Sequence, residues 1–371
     1  MKFSVNKAIL ADAMSTVQKA LPSRSTNPLL EGVLINASEN LNLTCSDGSI
    51  QIETVINAQD AQIDETGSIV LPGKLFSEII RKFNDDLITV DIQETEDKVN
   101  AKISSGSSKT TIQCWHADEY PLMPVIEEDE SLLINQATIK EMIKQTVFAC
   151  AQDELRPILT GVLFSLKNNC LSLVALDGYR LAIRTEPVNK DITYNAIIPS
   201  SSLNEIAKTL NEDDTDVNIC FSKNSAAFKL TNTKVTTVLL NGEFSRYDQI
   251  IPSEHTTYLE INRKEFQNAL ELASLMAQDI RENLICLNLR YDMIIVTSNS
   301  EIGNVYKTLD SKVTGNELEI AFNGKYLLDV LSKLDDENII MRFNSNISPC
   351  TIESIGSNKY LYLILPVRAF N

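Results

Sequence analysis

Two histidines, seven cysteines and three acidic turns are the groups in these 371 residues with the chemistry for acid–base catalysis or metal binding. His116 and His255 lie far apart in the sequence, and neither has a second ligand at a spacing typical of a zinc site. A lone histidine without a positioned partner is also a weak candidate for a general base. We therefore assign neither histidine a catalytic role.

The seven cysteines, at positions 45, 114, 150, 170, 220, 286 and 350, occur singly and form no C-x-x-C pair. Five of them lie within apolar runs, such as Ile219-Cys220-Phe221, where a thiol packs as a small hydrophobic group. We predict free thiols in a reducing compartment, and a metal site or a disulfide is the alternative.

Motifs that cradle phosphate are absent, since the sequence has neither G-x-x-x-x-G-K-[ST] nor G-x-G-x-x-G. The run Asp177-Gly178-Tyr179-Arg180 lacks the companion motifs of a kinase or a hydrolase. The acidic turns at 84–86, 212–214 and 335–337 each follow a predicted helix, which favours solvated loops over metal ligands. The sequence thus predicts a protein without catalytic activity, cofactor or metal ion.

A threefold repeat, in which a strand end leads into an amphipathic helix, is the strongest pattern in the chain. The copies are 71–80 (LPGKLFSEII), 198–207 (IPSSSLNEIA) and 322–331 (FNGKYLLDVL), and one acidic turn follows each copy. They lie about 125 residues apart, the length of a domain rather than of a solenoid repeat. We therefore predict three equivalent domains, at 1–125, 130–252 and 256–371. Polar segments that contain proline, 121–130 and 252–256, would join them.

Each predicted domain contains two helices, each with one apolar stripe, and short strands between them. The helices are predicted at 7–20, 73–83, 138–150, 200–210, 263–277 and 324–334. In helix 263–277 the stripe consists of Phe266, Ala269, Leu270, Ala273 and Ala277. Predicted strands include 30–35, 41–45, 49–56, 161–166 and 171–176. This order predicts an α+β fold in which two helices of each domain pack on antiparallel sheets.

Charge is distributed unevenly between the helices and the rest of the chain. The formal net charge is −17, whereas the six predicted helices together carry more Lys and Arg than Asp and Glu. Either lysines simply occupy solvated helix faces, or these faces oppose a polyanion that the acidic remainder repels. No base-reading motif or aromatic basic stripe is present, so contact with nucleic acid would be salt-sensitive and independent of sequence.

The sequence also bears on location. No stretch approaches the ~18 consecutive apolar residues of a membrane-spanning helix. The N-terminal segment enters a predicted amphipathic helix without a signal-peptide pattern. We expect a soluble, cytoplasmic protein.

Four motifs together resemble bacterial DNA sliding clamps, the beta subunits of DNA polymerase III. They are Asp177–Ala182 (DGYRLA), Gly242-Glu243-Phe244 with Tyr247 and Pro252, Phe322–Leu328 (FNGKYLL), and Leu365-Pro366-Val367-Arg368 near the end. With the threefold repeat, the resemblance covers essentially the whole chain. It implies three clamp domains and a head-to-tail homodimer whose six domains form a ring around duplex DNA. Basic helices would line the hole, and processivity would come from enclosure rather than from tight contact.

The resemblance also implies an accessory subunit that tethers the replicative polymerase to DNA and has no catalysis of its own. The implied partners are double-stranded DNA of any sequence, a second copy of the chain, the DNA polymerase III alpha subunit, the clamp loader, and other polymerases and mismatch-repair proteins. The proteins other than the second copy would bind through short linear peptides. The implied location is the cytoplasm, at the nucleoid.

DNA-binding positions carried over from the family lie in two loops and at one helix start. They are Arg24, Lys74, Asp153, Arg156, Pro157 and Ile158. Asp153, Pro157 and Ile158 stand where well-known members have Gln and two Tyr, and Ser200 and Ser201 stand at positions that are basic in those members. We therefore expect a weaker grip on DNA through the second domain.

A peptide-binding pocket between the second and third domains is the other family site. The matching positions are Leu159, Leu176, Gly178, Tyr179, Arg180, Leu181, Ser245, Ile250, Leu363, Leu365, Pro366, Val367 and Arg368. Apolar walls with an arginine rim suit a peptide with aliphatic or aromatic anchors. Ser245 stands where proline is usual, and we hypothesise that Phe370, in the Ala369-Phe370-Asn371 extension, fills or extends the pocket.

The ring seam is implied by an apolar patch and a strand edge. Leu275, Met276 and Ile280 match the patch of the third domain, which meets the edge strand of the first domain of the partner. That strand includes Lys109 and Ile112, and pairing with a partner would satisfy its exposed edge. Ser107 replaces a usual arginine, so we expect a less ionic seam.

A second interpretation is a protein-interaction hub that has the clamp fold but does not hold DNA. The strong acidity and the departures in the DNA-facing loops favour it. Charge reversal at Arg24 and Lys74 distinguishes the two, because only a clamp would lose loading or processivity.

Overall fold

The computed structural model describes residues 1–94, 98–126, 131–153, 155–190, 192–277, 283–301, 303–356 and 359–368. Within these ranges one order of elements occurs three times: a strand, a helix, four or five strands, a helix and at least three strands. The helices are α1 (Lys7–Val17), α2 (Gly73–Lys82), α3 (Gln136–Lys144), α4 (Ser200–Thr209), α5 (Arg263–Ala277) and α6 (Gly324–Leu331).

The strands of the first repeat are β1 (Lys2–Asn6), β2 (Gly32–Ala37), β3 (Leu41–Ser46), β4 (Ile50–Ile56), β5 (Ala61–Glu65), β6 (Gly67–Pro72), β7 (Leu87–Glu94), β8 (Val99–Ser105), β9 (Ser108–Gln113) and β10 (Trp115–His116). Those of the second are β11 (Ser131–Asn135), β12 (Gly161–Lys167), β13 (Cys170–Leu176), β14 (Arg180–Pro187), β15 (Tyr194–Pro199), β16 (Asp216–Phe221), β17 (Ser225–Lys229) and β18 (Thr233–Val238). Those of the third are β19 (Thr257–Asn262), β20 (Leu284–Arg290), β21 (Met293–Ser300), β22 (Gly303–Asp310), β23 (Lys312–Gly315), β24 (Leu318–Asn323), β25 (Asn338–Phe343), β26 (Cys350–Ser354) and β27 (Tyr360–Ile364).

One compact unit comprises residues 1–137 and 205–239. It contains a five-stranded sheet, in the order β5-β1-β7-β8-β9, and a nine-stranded sheet, in the order β10-β6-β2-β3-β4-β18-β17-β16-β11. The larger sheet runs from the first repeat into the second because β4 and β18 pair antiparallel, with Thr54 opposite Thr233.

The other compact unit comprises residues 138–204 and 240–371. Its nine-stranded sheet has the order β15-β12-β13-β14-β27-β26-β25-β19-β23, and its four-stranded sheet has the order β22-β21-β20-β24. Here β14 of the second repeat pairs antiparallel with β27 of the third, with Leu181 opposite Leu363. Each unit therefore contains strands of two repeats. The domain limits 1–125, 130–252 and 256–371 remain a prediction.

Helix α5 buries the whole stripe that its periodicity predicts, and α1 also buries one apolar face. On α5 the five predicted residues, Phe266 to Ala277, are all buried. On α1 the buried residues are Leu10, Ala13, Met14 and Val17. Residues at three- and four-residue spacing share one helix face, so this pattern turns one side of each helix toward the core.

The same hydrogen bond recurs at the start of the first helix in all three repeats. The backbone N–H of Lys7 donates to the carbonyl of Asp86 at 2.7 Å, that of Gln136 to Thr215 at 2.9 Å, and that of Arg263 to Glu337 at 2.9 Å. The first N–H groups of a helix have no partner within the helix. The acidic turns and the residues beside them supply that partner in each repeat.

Several predicted element ends are wrong. The helix predicted at 138–150 ends at Lys144, and residues 147–149 form a 3-10 turn instead. Thr146 terminates the helix because its hydroxyl donates to the carbonyl of Met142 at 2.8 Å and competes with the backbone. The helix predicted at 324–334 likewise ends at Leu331, where the hydroxyl of Ser332 donates to Asp329 O.

The strand predicted at 30–35 begins later than predicted, at Gly32. Residues 28–31 form a 3-10 turn, whose N-terminus is capped when Leu29 N donates to the Asn27 side chain at 3.1 Å. Three strands, β5, β14 and β23, were not predicted by the sequence pattern. They are short or lie beside a glycine turn, so the alternation of apolar and polar residues does not predict them clearly.

Candidate functional site

The glycine turn between β13 and β14 is built by Asp177. Its Oδ1 accepts hydrogen bonds from the backbone N–H groups of Tyr179, at 2.9 Å, and Arg180, at 3.0 Å. Gly178 has φ +95°, in the left-handed region that glycine adopts without steric cost. The turn therefore displays Tyr179, whose side chain is 62% exposed.

Arg180 has its guanidinium inside the protein. Nε donates to Asp177 Oδ2 at 2.9 Å, Nη1 to Asp329 Oδ2 at 2.5 Å, and Nη2 to the carbonyl of Phe148 at 2.7 Å. The residue is 8% exposed, so these three acceptors compensate for a buried charge. Arg180 was predicted at the rim of the pocket, and the structure instead gives it a positioning role between β14 and α6.

Aromatic rings complete the surroundings of Arg180. Its guanidinium carbon lies 4.6 Å from the centre of the Tyr326 ring and 5.4 Å from that of Phe148. The Tyr326 ring stacks on that of Tyr179, with 6.2 Å between centroids. Burial, and to a lesser extent the nearby Asp177 carboxylate, raises the pKa of the Tyr326 hydroxyl. Phe148, Tyr326 and Asp329 were not predicted as site residues, although Tyr326 lies within the third copy of the repeat.

Four of the thirteen residues predicted for the peptide pocket lie in one apolar cluster. Leu159, Leu176, Leu181 and Leu363 are buried in it. Partly buried apolar side chains pack on this cluster: Ile158, Ile183, Leu240, Phe244, Tyr247, Ile251 and Leu361. Burial, and to a lesser extent the nearby Asp248 carboxylate, raises the pKa of the Tyr247 hydroxyl.

The C-terminal segment is tied to the same region. Leu365 N donates to the carbonyl of Tyr179, and Val367 N donates to that of Ala321, both at 2.8 Å. Ser245, Leu365 and Arg368 are exposed, while Pro366 and Val367 are half-buried. Ile250, predicted for the same pocket, is 49% exposed. Phe370 lies outside the described residues, so the hypothesis about it stays open.

Arg24 lies in a loop that is held on both sides. On one side Lys74 Nζ donates to the carbonyl of Ser23 at 3.1 Å. On the other side the backbone N–H of Ser25 donates to Glu31 Oε1 at 2.9 Å. Arg24 itself is exposed. Lys74 thus contributes both a positive charge and support for the Arg24 loop, and Glu31 was not predicted to take part.

The second predicted DNA loop contains residues with different surroundings. Asp153, Arg156 and Pro157 are exposed, and Asp153 Oδ1 accepts from the N–H of Leu155 at 3.1 Å. Ile158, in contrast, packs on the apolar cluster described above. Ile158 is half-buried in the 3-10 turn that Pro157 starts, and its assignment to the DNA-binding loop stays a prediction.

The described residues predicted for the seam lie on one edge strand, β9, and on helix α5. β9 is an edge of the five-stranded sheet; its Lys109 is exposed, but Ile112 is only 8% exposed and faces the core. Beside this edge is a cavity of about 550 Å³ lined by Thr110 and by residues of and just after α2: Leu75, Glu78, Ile79, Arg81, Lys82 and Phe83. Leu75, which is 45% exposed, and Ile79 lie outside the buried residues of α2, which are Gly73, Phe76, Ser77 and Ile80. The i, i+4 spacing of these two apolar residues is the sequence signal that could have identified them.

In the other compact unit, β22 is an edge of the four-stranded sheet. Leu272 and Leu275 of α5 are 45% and 56% exposed, although the opposite face of the helix is buried. Met276 is half-buried. Ile280 lies outside the described residues. An exposed apolar pair beside an open sheet edge is a typical association surface.

The groups considered for catalysis are not assembled into a site. Among the residues that the structure describes, no three His, Cys, Asp or Glu side chains are placed to hold a metal ion. His116 is exposed, with Nε2 3.9 Å from Glu94 Oε1. None of the seven cysteines forms a disulfide, and five of them are buried: Cys45, Cys114, Cys150, Cys220 and Cys350. No helix in the described ranges is long and apolar enough to cross a bilayer.

Comparison with known proteins gives a match to one family along the chain. Residues 1–124, 133–246 and 248–368 match the N-terminal, central and C-terminal domains of the DNA polymerase III beta subunit, respectively. Beta sliding clamps of Halalkalibacterium halodurans and Bacillus subtilis are each 36% identical to this chain, with both chains covered in full. The crystal structure of a DNA polymerase sliding clamp from Bacillus subtilis superposes with a TM-score of 0.97 at 35% identity, again over the whole of both chains.

Proposed function

The chain belongs to the DNA polymerase III beta subunit family, the sliding clamps, and from this membership we propose that two copies close head to tail into a ring around duplex DNA. The ring tethers the replicative polymerase and so confers processivity, without any reaction of its own. The observation that carries this proposal is the likeness to sliding clamps over the full length of the chain. We propose action in the cytoplasm, at the nucleoid.

Ring closure needs two complementary edges on each chain. One edge is β9, with the cavity lined by Leu75, Ile79 and Thr110 beside it. The other is β22 together with the exposed Leu272 and Leu275 of α5. In a head-to-tail pair, the first edge of one copy meets the second edge of its partner, and two such seams close a ring. Pairing of the edges satisfies their backbone groups, and the leucines enter the cavity.

Contact with DNA is weak and independent of sequence in this proposal. Arg24 and Arg156 are exposed cations on loops, and Ser201 leaves the start of α4 without the positive charge of relatives. Each phosphate contact adds a salt-dependent increment of affinity but no base recognition. A protein of net charge −17 would slide on DNA and be retained chiefly because the ring is closed.

In this proposal the exposed Leu365 and Ile250 belong to an apolar surface that binds short linear peptides of the partner proteins. We propose that it serves the polymerase alpha subunit, the clamp loader, and other polymerases and mismatch-repair proteins. A peptide with an aliphatic or aromatic anchor suits an apolar surface of this kind, and the exposed Arg368 supplies a cation at its rim. Arg180 acts indirectly, because it holds Tyr326 and the turn that displays Tyr179.

Charge reversal tests the DNA-encircling role against the hub. The variant Arg24→Glu should shorten the products of primer extension by the cognate polymerase with its clamp loader, while peptide binding is unchanged. Lys223→Glu is the matched control, because Lys223 is an exposed cation in the β16–β17 turn with no DNA role assigned here. Equal product lengths for Arg24→Glu and the unaltered protein would favour the hub.

A further inference from the structure

The first strand of two repeats has a short strand beside it. In the first repeat, β5 pairs antiparallel with β1, with Ser4 opposite Gln62. In the third repeat, β23 pairs antiparallel with β19, with Glu260 opposite Lys312. Both short strands come from the same place in the chain: each follows the third strand after the first helix of its repeat and precedes the strand that leads into the second helix.

The second repeat has no such strand in the residues that the structure describes. The corresponding connection, 188–193, joins β14 to β15 and contains no strand at its described positions. Accordingly β11, the equivalent of β1 and β19, is an end strand of its sheet and is paired only with β16 in the described part of the chain.

The backbone of Leu133 faces this open edge. Gln136 N donates to the carbonyl of Thr215, its register partner. In an antiparallel pair the residues that bond to the neighbour alternate. Leu132 and Ile134 therefore bond toward β16, and the peptide groups of Leu133 between them point away from it.

Leu133 also has an unusual side-chain environment for this position. It lies three residues before its helix, as Ser4 and Glu260 do in the other repeats, and it is 65% exposed. In the third repeat the equivalent Glu260 forms an ion pair with Lys312, with Nζ 3.7 Å from Oε2. A leucine instead selects an apolar cross-strand neighbour.

We propose that the β11 edge accepts an extended segment of a partner protein as an added antiparallel strand, with an apolar, β-branched residue opposite Leu133. Main-chain hydrogen bonds supply the affinity of such a complex and alternate side chains its specificity. The occupant is four to five residues long, as β5 and β23 are, because those strands fill the same edge in this chain. This surface shares no residue with the apolar surface around Leu365.

The probe is a short fluorescent peptide of alternating Val and Thr, flanked by single arginines. A second peptide, N-methylated at the central valine, cannot donate the cross-strand hydrogen bond. We expect saturable binding of the first peptide only, with slowed amide hydrogen exchange at Leu133. The variant Leu133→Asp should weaken binding by at least about tenfold, and Leu133→Ile should retain it.

Leu122→Asp is the matched control, since Leu122 is 59% exposed in the same compact unit and is not part of any strand of this sheet. It should leave binding unchanged. Equal binding of both peptides, or binding unaffected by Leu133→Asp, would overturn the proposal. A third result would also overturn it: two copies of the chain associate, Leu133→Asp abolishes this association, and the peptide cannot displace it. The occupant of the edge would then be a second copy of the chain.

Discussion

The guanidinium carbon of Arg180 lies 4.6 Å from the centre of the Tyr326 ring. The two residues are far apart in sequence, one at the start of β14 and the other in α6, and their contact joins the second repeat to the third. A cation over an aromatic ring is attracted to the ring face, more strongly where water is excluded. The glycine turn, the ring of Tyr179 and the helix α6 are thereby held in one arrangement beside the apolar cluster.

Replacement of Arg180 tests this arrangement. Arg180→Met should lower the free energy of unfolding by about 3 kcal/mol, because it leaves the Asp177 carboxylate without its buried partner. Urea denaturation measures this loss, and fluorescence anisotropy of a labelled partner peptide should show weaker binding.

Arg290→Met is the matched control for Arg180→Met. Arg290 pairs with Glu317 on the surface, where both side chains are about half exposed, so its loss should cost less than about 1 kcal/mol. Equal losses for the two variants would contradict a structural role specific to Arg180.

In the Arg24 loop, the negative charge of Glu31 and the hydrogen bond that Glu31 accepts should have opposite effects on DNA affinity. Glu31→Ala removes a negative charge near the Arg24 loop, which on charge alone should strengthen binding to DNA. It also removes the acceptor of the Ser25 N–H. We expect duplex affinity at low salt to fall by up to about fivefold, which corresponds to one hydrogen bond of ~1 kcal/mol.

Glu31→Gln separates the two effects, because it removes the charge and keeps an acceptor oxygen. Its duplex affinity should equal or exceed that of the unaltered protein. If Glu31→Ala binds as tightly as Glu31→Gln, support of the loop by Glu31 has no part in binding DNA.

The seam is tested by a charge at an exposed leucine of α5. Leu275→Asp should raise the dissociation constant of the dimer by at least about thirtyfold, the equivalent of ~2 kcal/mol at a central interface residue. Analytical ultracentrifugation over a range of concentrations measures this constant. Leu122→Asp, which puts the same charge on another exposed leucine, should leave it unchanged. An unaltered dimer in Leu275→Asp would place the seam elsewhere.

Because the protein buries cysteine thiols, we expect its free energy of unfolding to fall at alkaline pH. Burial raises the pKa of Cys350 from 9.0 to about 12, and that of Cys150 likewise to about 12. Above about pH 9 the unfolded chain releases these protons while the folded chain retains them, so the free energy of unfolding falls between about pH 9 and about pH 12.

Cys350→Ala should make that fall less steep, by at most ~1.4 kcal/mol per pH unit. Urea denaturation at several pH values measures the slope. Ile352→Val, a truncation at an equally buried position without a titratable group, should lower stability by the same amount at each pH. An unchanged slope in Cys350→Ala would mean that the thiol does not contribute.

Sequence periodicity was sufficient for the repeat and for the buried helix faces. The stripe on α5 matches its prediction residue by residue, because three- and four-residue spacing follows directly from helix geometry. Element ends were harder to predict, since they depend on single side chains such as Thr146, whose hydroxyl competes with the backbone.

Sites formed by residues that are distant in the sequence could not be predicted from sequence patterns. Arg180 and Asp329 are separated by 149 positions, and only the fold brings them to hydrogen-bond distance. Ile112 matched a family position at a surface, yet its side chain packs inward, because a match of position does not specify the direction of a side chain. Leu75 and Ile79 line a cavity that no motif marks.

The proposal that the protein encircles DNA is tested most directly by comparing its retention on circular and on linear DNA. The protein is loaded by its clamp loader onto nicked circular duplex DNA, the complex is isolated, and the circle is cut once with a restriction enzyme. A ring that encircles and slides should be lost on linearisation and retained on the uncut circle. Equal retention on the circle and on the linear DNA would mean ordinary binding and would contradict enclosure of DNA by the chain.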